Sequence, residues 1–225
     1  MCCLNPSNYG SSATSTWPIG NIIGYVHETI YDAIAKNEHV LLAPDVIETY
    51  CIGFSLGAHV CGFFGKILKE RLGEKYKLTK IIGLDPAGPI FQYPFHSKKL
   101  RLHKDDTATV AIFHTNAQTL GFRDQLGDVD YYINGGFLQP WCLHIPIDIL
   151  DYFTSICHHT YSRKLMQDLL DRNIPCVFKC RNQSDIYIGS LRHSSTEKLL
   201  LKGRYELKTK QDIHDKTTEC TILCN

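Results

Sequence analysis

The alternation of apolar and polar positions predicts short buried strands interleaved with helices. Residues 19–35 and 56–72 carry apolar side chains at the spacing of an amphipathic helix. Residues 46–52, 80–85 and 107–115 form short apolar runs rich in β-branched side chains, which are typical of buried parallel strands. Strands that alternate with helices in this way favour an α/β fold with a mostly parallel central sheet.

The two ends of the chain give weaker patterns. Residues 1–19 are polar and rich in turn formers, so we predict a loop there. A helix is predicted over 162–170 and a late edge strand over 203–209, within a cysteine-bearing C-terminal region at 172–225. At this length one hydrophobic core is the default, and we predict a single domain over residues 1–225.

The junction between the first strand and the second helix holds a Gly-x-Ser-x-Gly pentapeptide, Gly53 to Gly57. A strand that turns sharply into a helix at a serine is the nucleophile elbow of α/β-hydrolases. The bend exposes the Ser55 hydroxyl, and we expect bulk at Gly53 or Gly57 to clash with neighbouring backbone. The N–H of Leu56 would lie at a helix N-terminus, where a developing oxyanion is stabilised. The alternative is a glycine-flanked turn with an ordinary surface serine.

A carboxylate and a histidine follow two of the predicted strands. Asp85 ends the run 80–85 and precedes Pro86, and open α/β sheets place ligands beyond the carboxyl ends of their strands. Asp85 is therefore a candidate partner of Ser55, although an aspartate before proline is often only a turn residue. His114 ends the next strand, and we interpret it as a hydrogen-bonded structural histidine.

Composition excludes some classes of protein and favours an oxidising compartment. The 24 basic and 23 acidic residues argue against a nucleic-acid partner. No apolar stretch is long enough to span a bilayer, and the first residues lack the pattern of a signal peptide. The ten cysteines and the sequon at Asn182 nevertheless suit a secreted protein with disulfides. The pairs Cys176/Cys180 and Cys220/Cys224 could alternatively bind zinc, but disulfides are favoured over a metal.

Several motifs, in order along the chain, resemble the pancreatic-lipase-like family of secreted lipases and A1-type phospholipases. They are residues 53–59 (GFSLGAH), 83–89 (GLDPAGP), 113–121 (FHTNAQTLG), 130–140 (DYYINGGFLQP) and 157–160 (CHHT). The resemblance covers about residues 20 to 170, with a weaker match at 203–209. It implies an α/β-hydrolase fold and hydrolysis of carboxylic esters in lipids.

Carried over by position, the resemblance makes Ser55 the nucleophile, Asp85 the triad acid and His159 the base. The family pattern of cysteine, one residue and then histidine selects His159 over its neighbour. The loop between Cys142 and Cys157 corresponds to the family's lid, a predicted short lid over 142–157. Short lids in this family accompany phospholipase A1 activity, so the sequence leans towards a stand-alone phospholipase or a broad neutral lipase, as in arthropod members.

The sequence also departs from the family pattern. His103 and Lys98 replace carboxylates of the family's calcium loop, so we predict no metal and no other cofactor. Phe54 stands where a histidine is usual. Nothing before Ser55 matches the His-Gly-Phe segment that supplies part of the oxyanion hole, and the sheet is predicted to lack its first strands.

Three functions follow as hypotheses. The first is a secreted Ser-His-Asp ester hydrolase acting on phospholipid or acylglycerol at a lipid–water interface. The second is a catalytically impaired, lipase-like protein that binds lipid or protein, which the missing oxyanion segment would favour. The third, a cysteine-rich zinc module, would be rejected if metal analysis found no zinc.

Overall fold

The computed structural model describes residues 8–36, 48–73, 76, 78–94, 97–140, 142 and 151–171, together with four strand segments beyond residue 175. Its helices are α1 (Tyr9–Lys36), α2 (Leu56–Ile67) and α3 (Asp151–Asp171). The strands are β1 (Tyr50–Phe54), β2 (Lys80–Leu84), β3 (Pro89–Ile90), β4 (Tyr93–Pro94), β5 (Thr109–His114), β6 (Val129–Ile133), β7 (Cys176–Phe178), β8 (Ile186–Ile188), β9 (Gly203–Lys208) and β10 (Thr221–Leu223).

The largest sheet has the strand order β1-β2-β5-β6-β9-β10. Its first five strands run parallel, and β10 runs antiparallel to β9. The predicted mostly parallel α/β architecture is therefore confirmed. Because β9 pairs with both β6 and β10, the prediction that residues 203–209 form an edge strand is wrong. The strand itself was recognisable, but its second neighbour lies in a part of the sequence with no clear strand pattern.

Helix α2 lies between the sheet and α1 and forms the centre of the core. Its buried side chains Ala58, Cys61, Phe64 and Ile67 join Ile81, Val110 and Ile112 of the sheet in one apolar cluster. On its other side, α2 packs closely against α1 because α1 presents glycines there. A Cβ at Gly20 would lie 2.5 Å from Phe63 Cβ, and one at Gly24 would lie 2.3 Å from Ile67 Cγ2. The helix predicted over 19–35 is thus part of α1 and packs chiefly on α2.

The loop predicted for residues 1–19 is wrong for residues 9–19, which form the first turns of α1. The polar side chains there are compatible with a helix because their hydroxyls donate hydrogen bonds to backbone carbonyls three or four residues earlier. Thr14 and Ser15 donate to Ser11 O, and Thr16 donates to Ala13 O. Ala13 and Thr16 share the buried face with Gly20. Tertiary packing of small side chains thus overrides the turn-like composition.

Helix α3 also begins earlier than predicted, at Asp151 rather than at residue 162. The end of the predicted lid, residues 151–157, is therefore helical, and residues 143–150 lie outside the described residues. Cys142 and Cys157 form a disulfide with Cα atoms 5.8 Å apart, which joins the first part of α3 to the segment after β6. A second disulfide, Cys51–Cys61, joins β1 to α2 and was not predicted.

Candidate active site

Ser55 stands in the tight turn between β1 and α2. Its backbone has φ 55° and ψ −121°, a left-handed conformation that is strained for a serine, and its N–H donates to Leu84 O at 3.0 Å. Gly53 is required by the turn, since a Cβ there would lie 2.3 Å from Gly57 O. The expected clash at Gly57 is wrong, because a Cβ there would meet no atom within 4 Å. Gly57 is the second residue of α2, where its Cα hydrogens face open space.

Asp85 follows β2 and is completely buried. Its Oδ1 accepts hydrogen bonds from the backbone N–H groups of Thr115 at 2.8 Å and Asn116 at 3.1 Å, both just after β5. These two donors hold Oδ1 and so fix the orientation of the carboxyl group, which leaves Oδ2 to face other partners. Gly121 closes the remaining side, where a Cβ would lie 2.6 Å from Asp85 Oδ1. The simple turn interpretation of Asp85 is therefore insufficient.

His159 lies on α3 and connects the other two side chains. Its Nδ1 is 2.6 Å from Asp85 Oδ2, and its Nε2 is 2.8 Å from Ser55 Oγ. With Nδ1–H donating to the carboxylate, the lone pair of Nε2 is free to accept the serine proton. The imidazole is 6% exposed. Ser55, His159 and Asp85 were each named from sequence, and they form one continuous hydrogen-bonded line.

Leu56 begins α2, next to the serine hydroxyl. Its N–H finds no acceptor in the part of the chain that the structure describes. A free N–H at the positive end of a helix favours negative charge at that point. The oxyanion-donor role of Leu56 stays a prediction.

Two further histidines near these strands are fixed by structural contacts. His114 is fully buried, with Nδ1 3.0 Å from Phe122 O and Nε2 2.8 Å from Asp130 Oδ1, which agrees with its predicted structural role. His158 Nδ1 accepts the N–H of Gln139 at 2.9 Å, and burial lowers the pKa of His158. His158 therefore points away from the serine, as the choice of His159 requires.

The segment from Lys98 to Asp106 is held together by ion pairs with lysines and by the hydrogen bonds of His103. Lys66 Nζ lies 2.5 Å from Asp106 Oδ1, while Lys98 Nζ lies 3.7 Å from Asp105 Oδ2. His103 Nδ1 accepts the backbone N–H of Asp105, and the backbone N–H of His103 donates to Asp106 Oδ2. Burial raises the pKa of Asp106 to about 6 despite its ion pair. Within the described ranges, no three His, Cys, Asp or Glu side chains are grouped to hold a metal ion.

Sequence analysis did not indicate the contacts that Phe54 and Arg163 make near His159. The ring of Phe54 lies 4.7 Å from the His159 ring, centroid to centroid, and the Arg163 guanidinium carbon lies 5.6 Å from the Phe54 centroid. The only sequence signal was the spacing of four residues between His159 and Arg163, which has meaning only if both lie on one helix.

The sheet order, the serine at a strand-to-helix turn and the histidine and aspartate that meet it define an α/β-hydrolase fold. Comparison with known proteins identifies the family within this fold class. The model of the lipase family matches residues 11–209, and the chain belongs to that family.

Individual relatives agree with this assignment. The chain is 38% identical to phospholipase A1 member A of Bos taurus over 80% of the chain and 37% of that protein. It is 38% identical to lipase member H-A of Xenopus laevis over 63% of the chain and 29% of that protein. Lipase member H of Danio rerio is 30% identical over 81% of the chain and 38% of its own length. The chain thus spans less than two fifths of the curated relatives it matches.

These relatives are vertebrate proteins, so the arthropod type stays a prediction. None of the helices in the described ranges combines the length and the apolar character needed to cross a membrane.

Proposed function

We propose that this chain hydrolyses carboxylic ester bonds of lipids, with Ser55 as nucleophile, His159 as general base and Asp85 as the acid that orients it. The observation that carries the proposal is the unbroken line from Asp85 Oδ2 through both ring nitrogens of His159 to Ser55 Oγ, with contacts of 2.6 and 2.8 Å. An ordinary surface serine in a turn is not expected to be hydrogen-bonded to a buried imidazole–carboxylate pair, as Ser55 is.

In the proposed reaction, His159 Nε2 takes the hydroxyl proton as Ser55 Oγ attacks the ester carbonyl carbon. The new imidazolium lies beside the Asp85 carboxylate, which stabilises its charge. The carbonyl oxygen becomes an oxyanion close to the Leu56 N–H at the start of α2. His159 then returns the proton to the leaving alcohol, and water repeats the attack on the acyl-enzyme with His159 again as base.

Two further properties belong to the proposal. The substrate is a phospholipid or an acylglycerol at a lipid–water interface, which the names of the lipase and phospholipase A1 relatives support. The site of action is extracellular, which is supported by the disulfides Cys51–Cys61 and Cys142–Cys157, because such bonds persist in oxidising compartments.

The test compares the unmodified chain with Ser55→Ala and with Ser97→Ala, a control in which an exposed serine is removed. Each protein is treated with a fluorophosphonate probe and assayed on phosphatidylcholine and on a triacylglycerol emulsion. We expect labelling and hydrolysis by the unmodified chain and the control, and a loss of at least about 10³-fold with Ser55→Ala. A folded chain that is neither labelled nor active would overturn the proposal in favour of a non-catalytic lipid- or protein-binding role.

A further inference from the structure

Phe54 links the proposed catalytic histidine to a cation. Its half-buried ring contacts the His159 imidazole on one side and receives the Arg163 guanidinium at 5.6 Å. His159 and Arg163 are four residues apart on α3 and therefore lie on the same helix face, one turn apart. Because the Phe54 ring contacts both groups, the guanidinium carbon lies at most about 10 Å from the centre of the His159 ring.

The positive charge of Arg163 is exposed and is not neutralised by a carboxylate in the described ranges. Other cations have such partners, since Lys66, Lys98 and Lys104 lie 2.5, 3.7 and 3.1 Å from carboxylate oxygens. A cation–π contact restricts the guanidinium but leaves its N–H donors available, because the ring offers no hydrogen-bond acceptor in its plane. Arg163 is thus a cation oriented by Phe54 near the proposed catalytic histidine, and its N–H donors have no carboxylate partner among the described residues.

We propose that Arg163, positioned by Phe54, binds an anionic phosphate group of the lipid whose ester Ser55 attacks. This inference rests on the proposed function and adds a specificity-determining residue to it. The guanidinium fork matches two phosphate oxygens, and such charge-assisted pairs are stronger than neutral hydrogen bonds. In a glycerophospholipid the phosphate and the acyl esters share one three-carbon glycerol unit, so both can reach the site together. A triacylglycerol offers Arg163 only neutral ester oxygens and no anionic group.

The first experiment measures specificity in detergent micelles of constant composition that contain either a phosphatidic acid or the diacylglycerol with the same acyl chains. The proteins are the unmodified chain, Arg163→Gln, Arg163→Lys and Arg71→Gln. Arg71 is the matched control, an exposed arginine beyond the far end of α2, roughly 20 Å from Ser55 by helix rise.

We expect Arg163→Gln to lower kcat/KM on the phosphatidic acid by about ten- to a hundred-fold while changing kcat/KM on the diacylglycerol less than about twofold. Arg163→Lys should restore only part of the loss, because an ammonium group cannot form the bidentate contact. Equal effects on the two lipids, or the same loss with Arg71→Gln, would overturn the proposal and leave the ester hydrolase assignment intact.

The second experiment separates this proposal from the proposed function by measuring binding without turnover. Calorimetric titration of Ser55→Ala with soluble dibutanoyl phosphatidic acid should give binding that Arg163→Gln weakens about tenfold or more. Such binding without ester hydrolysis by the unmodified chain would contradict the catalytic proposal only. Binding that is insensitive to Arg163, or its absence, would overturn the role of Arg163 whatever the esterase assay shows.

Discussion

The disulfide Cys51–Cys61 encloses the turn that presents Ser55, and its contribution to stability can be predicted from the size of the loop that it closes. The two cysteines are 10 residues apart in sequence and their Cα atoms are 5.7 Å apart. For a loop of this length, the loss of chain entropy in the unfolded state is about 9 cal/mol/K, or about 2.7 kcal/mol at 25 °C. Against a urea m-value of roughly 3 kcal/mol/M, removing the link should lower the unfolding midpoint by about 1 M.

The perturbation is Cys51→Ala combined with Cys61→Ala, and urea unfolding is measured for both proteins under oxidising and reducing conditions. Substitution also removes a buried sulfur, because Cys61 is 2% exposed, and reduction also opens Cys142–Cys157. For each protein, we take the change in unfolding free energy that reduction causes. Subtracting the value for the double variant from the value for the unmodified protein cancels both effects. The remainder is the effect of the Cys51–Cys61 link itself.

We expect this difference to be between about 2 and 3.5 kcal/mol. A value below about 1 kcal/mol, with two-state transitions in all four samples, would refute the reasoning. It would mean that β1 and the start of α2 already lie close together in the unfolded ensemble, so that the link restricts little.

Two other predictions concern single side chains. Gly121→Ala should lower ester hydrolysis by about 10² or more, because its Cβ would lie 2.6 Å from Asp85 Oδ1, whereas Gly57→Ala, with nothing within 4 Å, should leave activity and folding unchanged. Near-equal activities of these two alanine variants would contradict the steric argument. Burial raises the pKa of the Asp106 carboxyl, which lies beside Lys66, from 3.8 to about 6. Between these two values the folded protein holds this proton more tightly than the unfolded chain does, so the free energy of unfolding should fall as pH rises from about 4 to 6. Urea unfolding of the unmodified protein and Asp106→Asn should show the unmodified protein losing roughly 1–3 kcal/mol relative to the variant over that range. A constant difference between the two would show that Asp106 does not titrate there.

The sequence was most informative where a structure depends on neighbours along the chain. The apolar runs predicted the strands β1, β2 and β5, and the Gly-x-Ser-x-Gly pattern predicted the turn at Ser55. In these places the local preference and the fold agree, since a short β-branched run can be buried on both faces of a parallel sheet. Asp85 could be placed at the same edge of the sheet because parallel strands end together.

The sequence was least informative where structure depends on distant partners. The first turns of α1 have the composition of a loop, but their buried residues Ala13 and Thr16 continue the face that packs against α2 at Gly20. The Cys51–Cys61 link could not be deduced, since ten cysteines allow many pairings. The Phe54–Arg163 contact joins a strand end to a helix residue 109 positions further along the chain, and no local pattern indicates it.

The early start of α3 changes how the two adjacent histidines should be understood. On a helix, successive side chains point about 100° apart. His158 and His159 therefore face different neighbours, with His158 accepting the Gln139 N–H and His159 lying between Ser55 and Asp85. The sequence predictions covered the lid at 142–157 and a helix at 162–170 but not residues 158 and 159, so only the family pattern favoured one of the two rings. The helix supplies the physical reason, because the turn of backbone that brings His159 to the serine directs His158 away from it.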